Sequence, residues 1–427
     1  MKQPEGELAR ALFEAIGPQR HLGVQLYVSV RGRPVFDLAA GRRDDGTALD
    51  PDDLLVWFSA GKPLVAAAVC RLWQDGLIDL DEPVATYLPA FAAGGKAAIT
   101  TRHLLTHSGG RMSAPGPPGS GIADPFAVDY EPAIGLALAA ELHPEDRPGE
   151  QPSYSASVLT WLVLSQLVRH HTGARFDDVV AETIGRPLGM ETHYGFTESE
   201  LRELGNRVCT FVAPRTGLYL NDADAREGAA IREVLAGGTF HRTIDPGAGL
   251  WASARSLGRF YELLCARAVG GSWAPADGIL DERTVAEMIK PQRPSFFEEA
   301  PLIDFGLGLT LETRRLGPQY AYFGSSCSFA TFGHQGHGAP MAFADPRHDL
   351  VVSFNGNGLP GRVLGKRIWQ RISDAVYEEL GLTLPDEPAH DGGPRPVPRR
   401  RLDLRPPSAR ADHGDAPTGA ATPRRFE

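Results

Sequence analysis

Cysteine is scarce in this sequence: Cys70, Cys209, Cys265 and Cys327 are the only four in 427 residues, and they show neither CxxC nor zinc-ligand spacing. That excludes a disulfide framework or a cysteine-based metal motif and leaves buried thiols as the expectation. Positive charge is also short, with 43 Lys and Arg against 53 Asp and Glu and a formal net charge of −10. No basic tract interleaved with aromatics occurs outside the last residues, which argues against a nucleic-acid surface. No apolar run reaches the roughly 18 residues that a membrane-spanning helix needs. Met1 to Ile16 carries acidic residues and no apolar stretch followed by a small-residue cleavage site, so no secretory signal is expected and a cytoplasmic location is the default. No internal repeat is visible.

What is present is a long chain with clear punctuation, sufficient for one large domain or two medium ones. Leu8, Ala11, Leu12 and Ile16 form a helical stripe expected to pack on a sheet. Gly23 to Val30 and Pro34 to Ala39, separated by Arg31-Gly32-Arg33, read as a hairpin. From Gly76 onward the pattern is loops and helices, including a helix ending near Val168 and Gly173, a helix over Phe176 to Ile184 and a turn at Arg186 to Met190. Leu250 to Leu264 reads as helix after the glycine turn Pro246-Gly247-Ala248-Gly249. Phe305 to Leu311, Ser328 to Gly333, Pro340 to Asp345 and Leu350 to Asn355 are strand candidates, and Arg362 to Leu380 is a closing amphipathic helix. After Pro385 the composition turns Pro/Arg/Asp-rich and disorder is expected. The sheet is thus split between the two ends of the chain, around a helical insertion.

The chemistry concentrates in Val56-Trp57-Phe58-Ser59-Ala60-Gly61-Lys62-Pro63, which opens the apolar run Leu64 to Trp73. Pro63 is tolerated only in the first turn of a helix, so the helix begins near Ser59 or Ala60. Residues three apart share a helical face, so the Lys62 amine can reach the Ser59 hydroxyl. Free backbone N–H groups at the helix start add positive potential beside it. Apolar neighbours would depress the Lys62 pKa and suit it to act as a base. The alternative is a serine that only caps a helix beside a solvated lysine. His103 and His107 are spaced i, i+4, as zinc ligands on a helix can be, but the pair lacks the adjacent glutamate of a zinc protease and a third ligand. Tyr154, at the opening of the helix that ends near Val168, is either a core tyrosine or a phenol that exchanges a proton with Ser59.

Three motifs in order, Ser59-Ala60-Gly61-Lys62, Tyr154-Ser155-Ala156 and His334-Gln335-Gly336, resemble those of the serine β-lactamase and penicillin-binding-protein superfamily. The nearest group is the class C β-lactamase-like esterases called family VIII. Arg102 to Gly109, Arg186 to Met190 and Asp345 to Val352 match in kind, and the similarity covers about residues 7 to 380. The resemblance implies an α/β (α+β) fold: an antiparallel sheet flanked by helices plus an all-helical subdomain. The catalytic domain would span residues 1–384, with its α/β part at 1–75 and 246–384 and its helical part at about 76–245, followed by a tail at 385–427. Ser59 would be the nucleophile and Lys62 with Tyr154 the proton-transfer pair. His334 would stand where β-lactamases place a carboxylate-binding lysine, as a weaker, pH-dependent cation. The backbone N–H groups of Ser59 and of His337, which follows Gly336, would form the oxyanion hole.

Ala156, where β-lactamases usually carry asparagine, and His334 both remove polar handles for a penicillin or peptide. They point to a carboxylic-ester hydrolase acting on a small acyl substrate without cofactor or metal. The alternatives are an acyltransferase or peptide cyclase using the same acyl-enzyme, a D-amino-acid peptidase or amidase, and a non-catalytic penicillin-binding sensor. An α/β-hydrolase is rejected because Trp57 stands where the Gly-x-Ser-x-Gly elbow needs glycine. Specificity is expected from the loops at Arg111 to Asp129, Phe211 to His241 and Pro291 to Ile303, with Trp251, Phe296, Phe297 and Tyr322 as candidate pocket walls.

Overall fold

The computed structural model describes residues 3–114, 129–151, 153–154, 157–211, 229, 240–293, 303–313, 320–338 and 340–382. Ser155, Ala156, Phe296, Phe297 and the segment 385–427 lie outside the described residues.

The chain opens with helix α1 (Gly6–Ala15) and the hairpin β1 (Gly23–Val30) and β2 (Arg33–Gly41). A short strand β3 (Leu55–Val56) leads through a tight 3-10 turn, Phe58–Gly61, into helix α2 (Lys62–Gln74). Helices α3 (Thr101–Leu105) and α4 (Ser157–Thr172) and the short strand β4 (His193–Tyr194) follow, then β5 (Leu250–Ala252) and helix α5 (Ala254–Ala268). The C-terminal part supplies β6 (Asp304–Phe305), β7 (Thr310–Leu311), β8 (Phe332–Gln335), β9 (Met341–Asp345), β10 (Leu350–Gly356) and helix α6 (Arg362–Glu379).

These strands make a seven-stranded sheet in the order β2-β1-β10-β9-β8-β7-β6, antiparallel at each pairing. The N-terminal hairpin closes onto the last strand, with Tyr27 opposite Ser353. Side-chain alternation sends Val24, Leu26 and Val28 to one face, where they pack with Leu8 and Leu12 of α1 and Trp369 and Val376 of α6. Tyr27 points to the other face and donates its hydroxyl to Glu262 of α5 at 2.7 Å. That face is covered by α5, and α2, apolar from Pro63 to Cys70 and buried from Lys62 to Cys70, lies in the same core, the pattern of a helix enclosed by protein. All four cysteines are buried and unbridged.

The structure corrects several readings made from sequence. Leu250–Ala252 is a strand rather than the start of a helix. It pairs with β3 and β4, and Ser253 caps α5 by accepting the Ser256 N–H. Phe305 to Leu311 is not one strand but a tight hairpin, β6 and β7, turned at Gly306 to Gly308, so the C-terminal part contributes five strands. Ser328 to Thr331 precedes β8, which runs on through His334 and Gln335. Arg186-Pro187-Leu188 continues the helix begun at Phe176, through a π-turn at Ala181–Gly185, and stops only at Gly189 in the left-handed conformation. Apolar runs of a few residues do not distinguish strand from helix, and here pairing partners distant in sequence decide.

Candidate active site

The backbone that delivers Ser59 is fixed from several directions. Val56 pairs with Trp251, the Trp57 N–H donates to the Leu250 carbonyl at 2.8 Å, and the Trp57 indole donates to the Ala252 carbonyl at 2.9 Å. The Asn355 amide reaches across from β10 to the Val56 carbonyl at 3.0 Å. So held, Phe58 adopts φ +45, a left-handed conformation that a non-glycine residue takes only at a cost of about 1–2 kcal/mol. The chain then turns through the 3-10 segment with Gly61 pressed onto Leu250, where a Cβ would come within 2.6 Å of the Leu250 Cβ. The sharp turn leaves Ser59 partly exposed, while its neighbours Phe58, Ala60 and Gly61 are buried.

Lys62, one turn on, is 2 % exposed. Its Nζ donates to Ser59 Oγ at 2.8 Å and to the Gly247 carbonyl at 2.7 Å, and lies 5.7 Å from the ring centroids of both Tyr154 and Trp161. Burial lowers its pKa from 10.5 to about 8, against a partial opposing pull from the charge of Asp245. An amine in contact with the serine hydroxyl and able to shed its proton near neutrality can serve as a base.

Tyr154 is brought alongside by a cradle built on His107. His107, considered as half of an i, i+4 zinc pair, lies beyond the end of α3 with φ +52 and does not share a helix face with His103. His103 belongs to a capping box with Thr100. The His107 ring packs 4.5 Å from the Tyr154 ring and 5.3 Å from Phe305, and its carbonyl accepts the Ser153 N–H at 2.8 Å and Arg293 Nη1 at 3.0 Å. Among the described residues no cluster of His, Cys, Asp and Glu could hold a metal ion.

His334 comes in on β8, buried to 2 % exposure. Its Nδ1 lies 2.6 Å from the Gln335 carbonyl, which only accepts, so Nδ1 carries the proton and Nε2 the lone pair. Burial first and the Lys62 charge second lower its pKa to about 3. At neutral pH His334 is therefore an uncharged imidazole, not the weak cation its position had suggested. Gly336 is a point of close approach: a Cβ there would run into the Trp57 carbonyl oxygen and come within 3.2 Å of the Phe58 Cβ. The His337 ring sits 6.2 Å from that of Phe58, so the end of β8 adjoins the Ser59 turn. Gly336→Val is expected to displace the 3-10 turn and to lower turnover by about 10²-fold, the scale of a lost oxyanion donor, as measured by kcat. Far-UV circular dichroism would separate that loss from unfolding.

Trp251 and Tyr322, considered as pocket walls, are core residues at 1 % and 2 % exposure. Sequence reasoning overlooked Asp245, whose carboxylate organises the Gly247 turn. The phrase Asp245-Pro246-Gly247 carried that signal as a side chain able to close a turn on its own backbone.

The chain is similar to known proteins over most of its length. A family model described as Beta-lactamase matches residues 8–377. The esterase/beta-lactamase LipL of Mycobacterium tuberculosis is 26% identical over 376 residues, which cover 82% of this chain and 81% of LipL. The esterase EstB of Burkholderia gladioli is 31% identical over 204 residues, 44% of this chain and about half, 51%, of EstB. Among solved structures, a family VIII carboxylesterase superposes with a TM-score of 0.68 at 23% identity, covering 89% of this chain and 99% of its own.

Proposed function

The chain belongs to the beta-lactamase family, and on that footing we propose that it is a serine hydrolase that cleaves small or medium carboxylic esters through an acyl-Ser59 intermediate. The observation that carries this reading is the 2.8 Å contact between Lys62 Nζ and Ser59 Oγ, made by an amine whose pKa is lowered to about 8. LipL and EstB, both named esterases, support the ester class.

In the proposed cycle neutral Lys62 accepts the Ser59 proton as Oγ attacks the ester carbonyl carbon. The carbonyl oxygen takes up the negative charge against the backbone N–H groups of Ser59 and His337, each such donor being worth roughly 2.7 to 4 kcal/mol. Collapse of the adduct breaks the bond to the alcohol oxygen, which leaves with the proton relayed from Lys62 through Tyr154. Water then attacks the acyl-enzyme by the same route, releasing the acid and restoring the Ser59 hydroxyl. One hard hydrolysis is thereby divided into two easier steps.

Esters are favoured over penicillins because His334 is uncharged where a lysine would meet a carboxylate. A missing charge-assisted contact of about 1.5–3 kcal/mol corresponds to roughly 10- to 100-fold in rate. The test is turnover of p-nitrophenyl acyl esters and of a chromogenic cephalosporin, each with and without an added alcohol or amine. Free acid from the ester, with cephalosporin cleavage lower by that factor, is the expected result. Acyl groups passing wholly to the added acceptor would overturn hydrolysis in favour of transfer, and cephalosporin turnover matching the ester would overturn the ester preference.

No described helix is long and apolar enough to cross a membrane.

A further inference from the structure

We propose that Asp245 is a positioning residue for Lys62 and acts on it through a single peptide unit, Gly247–Ala248. The inference rests on the reading of Lys62 as the base, and it extends the site to a residue that touches neither substrate nor serine.

Asp245 is 5 % exposed. Its Oδ1 accepts the N–H of Gly247 at 2.6 Å and that of Ala248 at 3.1 Å, and its backbone carbonyl accepts the Gly249 N–H at 2.8 Å. The Ala248 N–H and the Gly247 carbonyl are the two ends of one planar peptide group. One end therefore rests on the Asp245 carboxylate and the other receives the Lys62 Nζ at 2.7 Å. A negative charge at the N–H end polarises the group and strengthens the carbonyl as an acceptor for the ammonium. Asp245 thus works on Lys62 twice, by direct attraction of its charge and by the dipole it orients.

Packing leaves the turn little freedom to do anything else. A Cβ on Gly247 would press on the Trp161 indole at 3.1 Å, the same ring that lies 5.7 Å from Lys62 Nζ, and a Cβ on Gly249 would meet the Asp245 carbonyl at 2.8 Å. The other titratable groups near Lys62 include His107, His334, Arg293 and Tyr154. His107, on the segment after α3, and His334, on β8, are both buried and held neutral in part by Lys62 itself, and Arg293 lies behind His107. The Tyr154 ring centroid lies 5.7 Å from Lys62 Nζ. Burial first, then the charges of Asp177 and Asp245, raise the Tyr194 pKa. Asp245 is the group that favours the ammonium, against the burial that disfavours it. Burial raises the Asp245 pKa, and Lys62 with the two N–H groups pulls it back down.

Asp245→Asn separates the two possible roles. An amide oxygen keeps both turn hydrogen bonds and removes the charge. If Asp245 positions and charges Lys62, the acid limb of the kcat/KM profile moves toward lower pH by about one unit. On the acid side of the wild-type limb the variant then turns over ester faster than the wild type, a gain that damage to the fold does not produce. A profile that keeps its limb and only falls in height would overturn the proposal. Should Asp245→Asn fail to fold, Asp245→Ser supplies an uncharged acceptor to the same turn and is read in the same way. The pH dependence of Ser59 labelling by a fluorophosphonate distinguishes this inference from the reading beneath it. A wild type with no limb near pH 8 overturns Lys62 as base, whereas a wild-type limb that neither variant moves overturns Asp245 alone.

Discussion

Ser59→Ala is expected to reduce p-nitrophenyl ester turnover by about 10⁴-fold or more, the scale on which loss of a nucleophile acting together with its base is felt. The hydroxyl is the partly exposed end of an otherwise buried turn, and Lys62 Nζ is its side-chain partner among the described residues. Truncation leaves that amine in place with nothing to activate, so binding of the ester survives while acylation does not. A fluorophosphonate should label the wild type at Ser59 and leave the variant unlabelled, and mass spectrometry of the peptide that contains residue 59 would locate the adduct. Ester turnover in Ser59→Ala within tenfold of the wild type would remove the acyl-enzyme from the mechanism.

How much of this was legible beforehand depended on whether a feature was local. Pro63 in the first helical turn and the i, i+3 spacing place Ser59 and Lys62 together without further information, and the Lys62 contact matches that expectation. The hairpin at Arg31 to Arg33 and the helix after Gly361 were likewise written in adjacent residues. Leu250–Ala252 was not, because a three-residue apolar stretch becomes a strand by pairing with distant partners, among them Leu55 and Val56 some 195 positions away in sequence. The charge of His334 was hidden for the same reason. Its residue type suggests a titration near neutrality, whereas its depth in the sheet and the neighbouring Lys62 determine that it stays neutral. The Asp245 turn was legible in Asp245-Pro246-Gly247, but that its Gly247 carbonyl would meet Lys62, 185 positions away in sequence, was not.

Lys62→Met should move activity and stability in opposite directions. Turnover is expected to fall by about 10³-fold or more, because a thioether cannot accept the Ser59 proton. In the wild type the same amine gives kcat/KM an acid limb near pH 8, since only its neutral form is a base. For stability the amine is a burden. Lowering its pKa from 10.5 to about 8 corresponds to about 3 kcal/mol spent on carrying the charge into the core at pH 7, at about 1.36 kcal/mol per unit. Met fills a similar volume without that charge. It also leaves the Gly247 carbonyl without its ammonium, a loss of roughly 1–3 kcal/mol, so the net gain is about 1 kcal/mol. The sign follows from proton counts. Between pH 8 and 10.5 the unfolded lysine binds a proton that the folded one has released, so wild-type stability rises with pH through that window. The advantage of the variant is therefore fully present below pH 8 and is lost by pH 10.5, where the unpaired carbonyl makes it the weaker protein. Urea midpoints of the two proteins at pH 7 and pH 10.5 should cross. A variant weaker at both pH values would mean that Lys62 is held without strain, and the low pKa that the catalytic reading needs would have no energetic source.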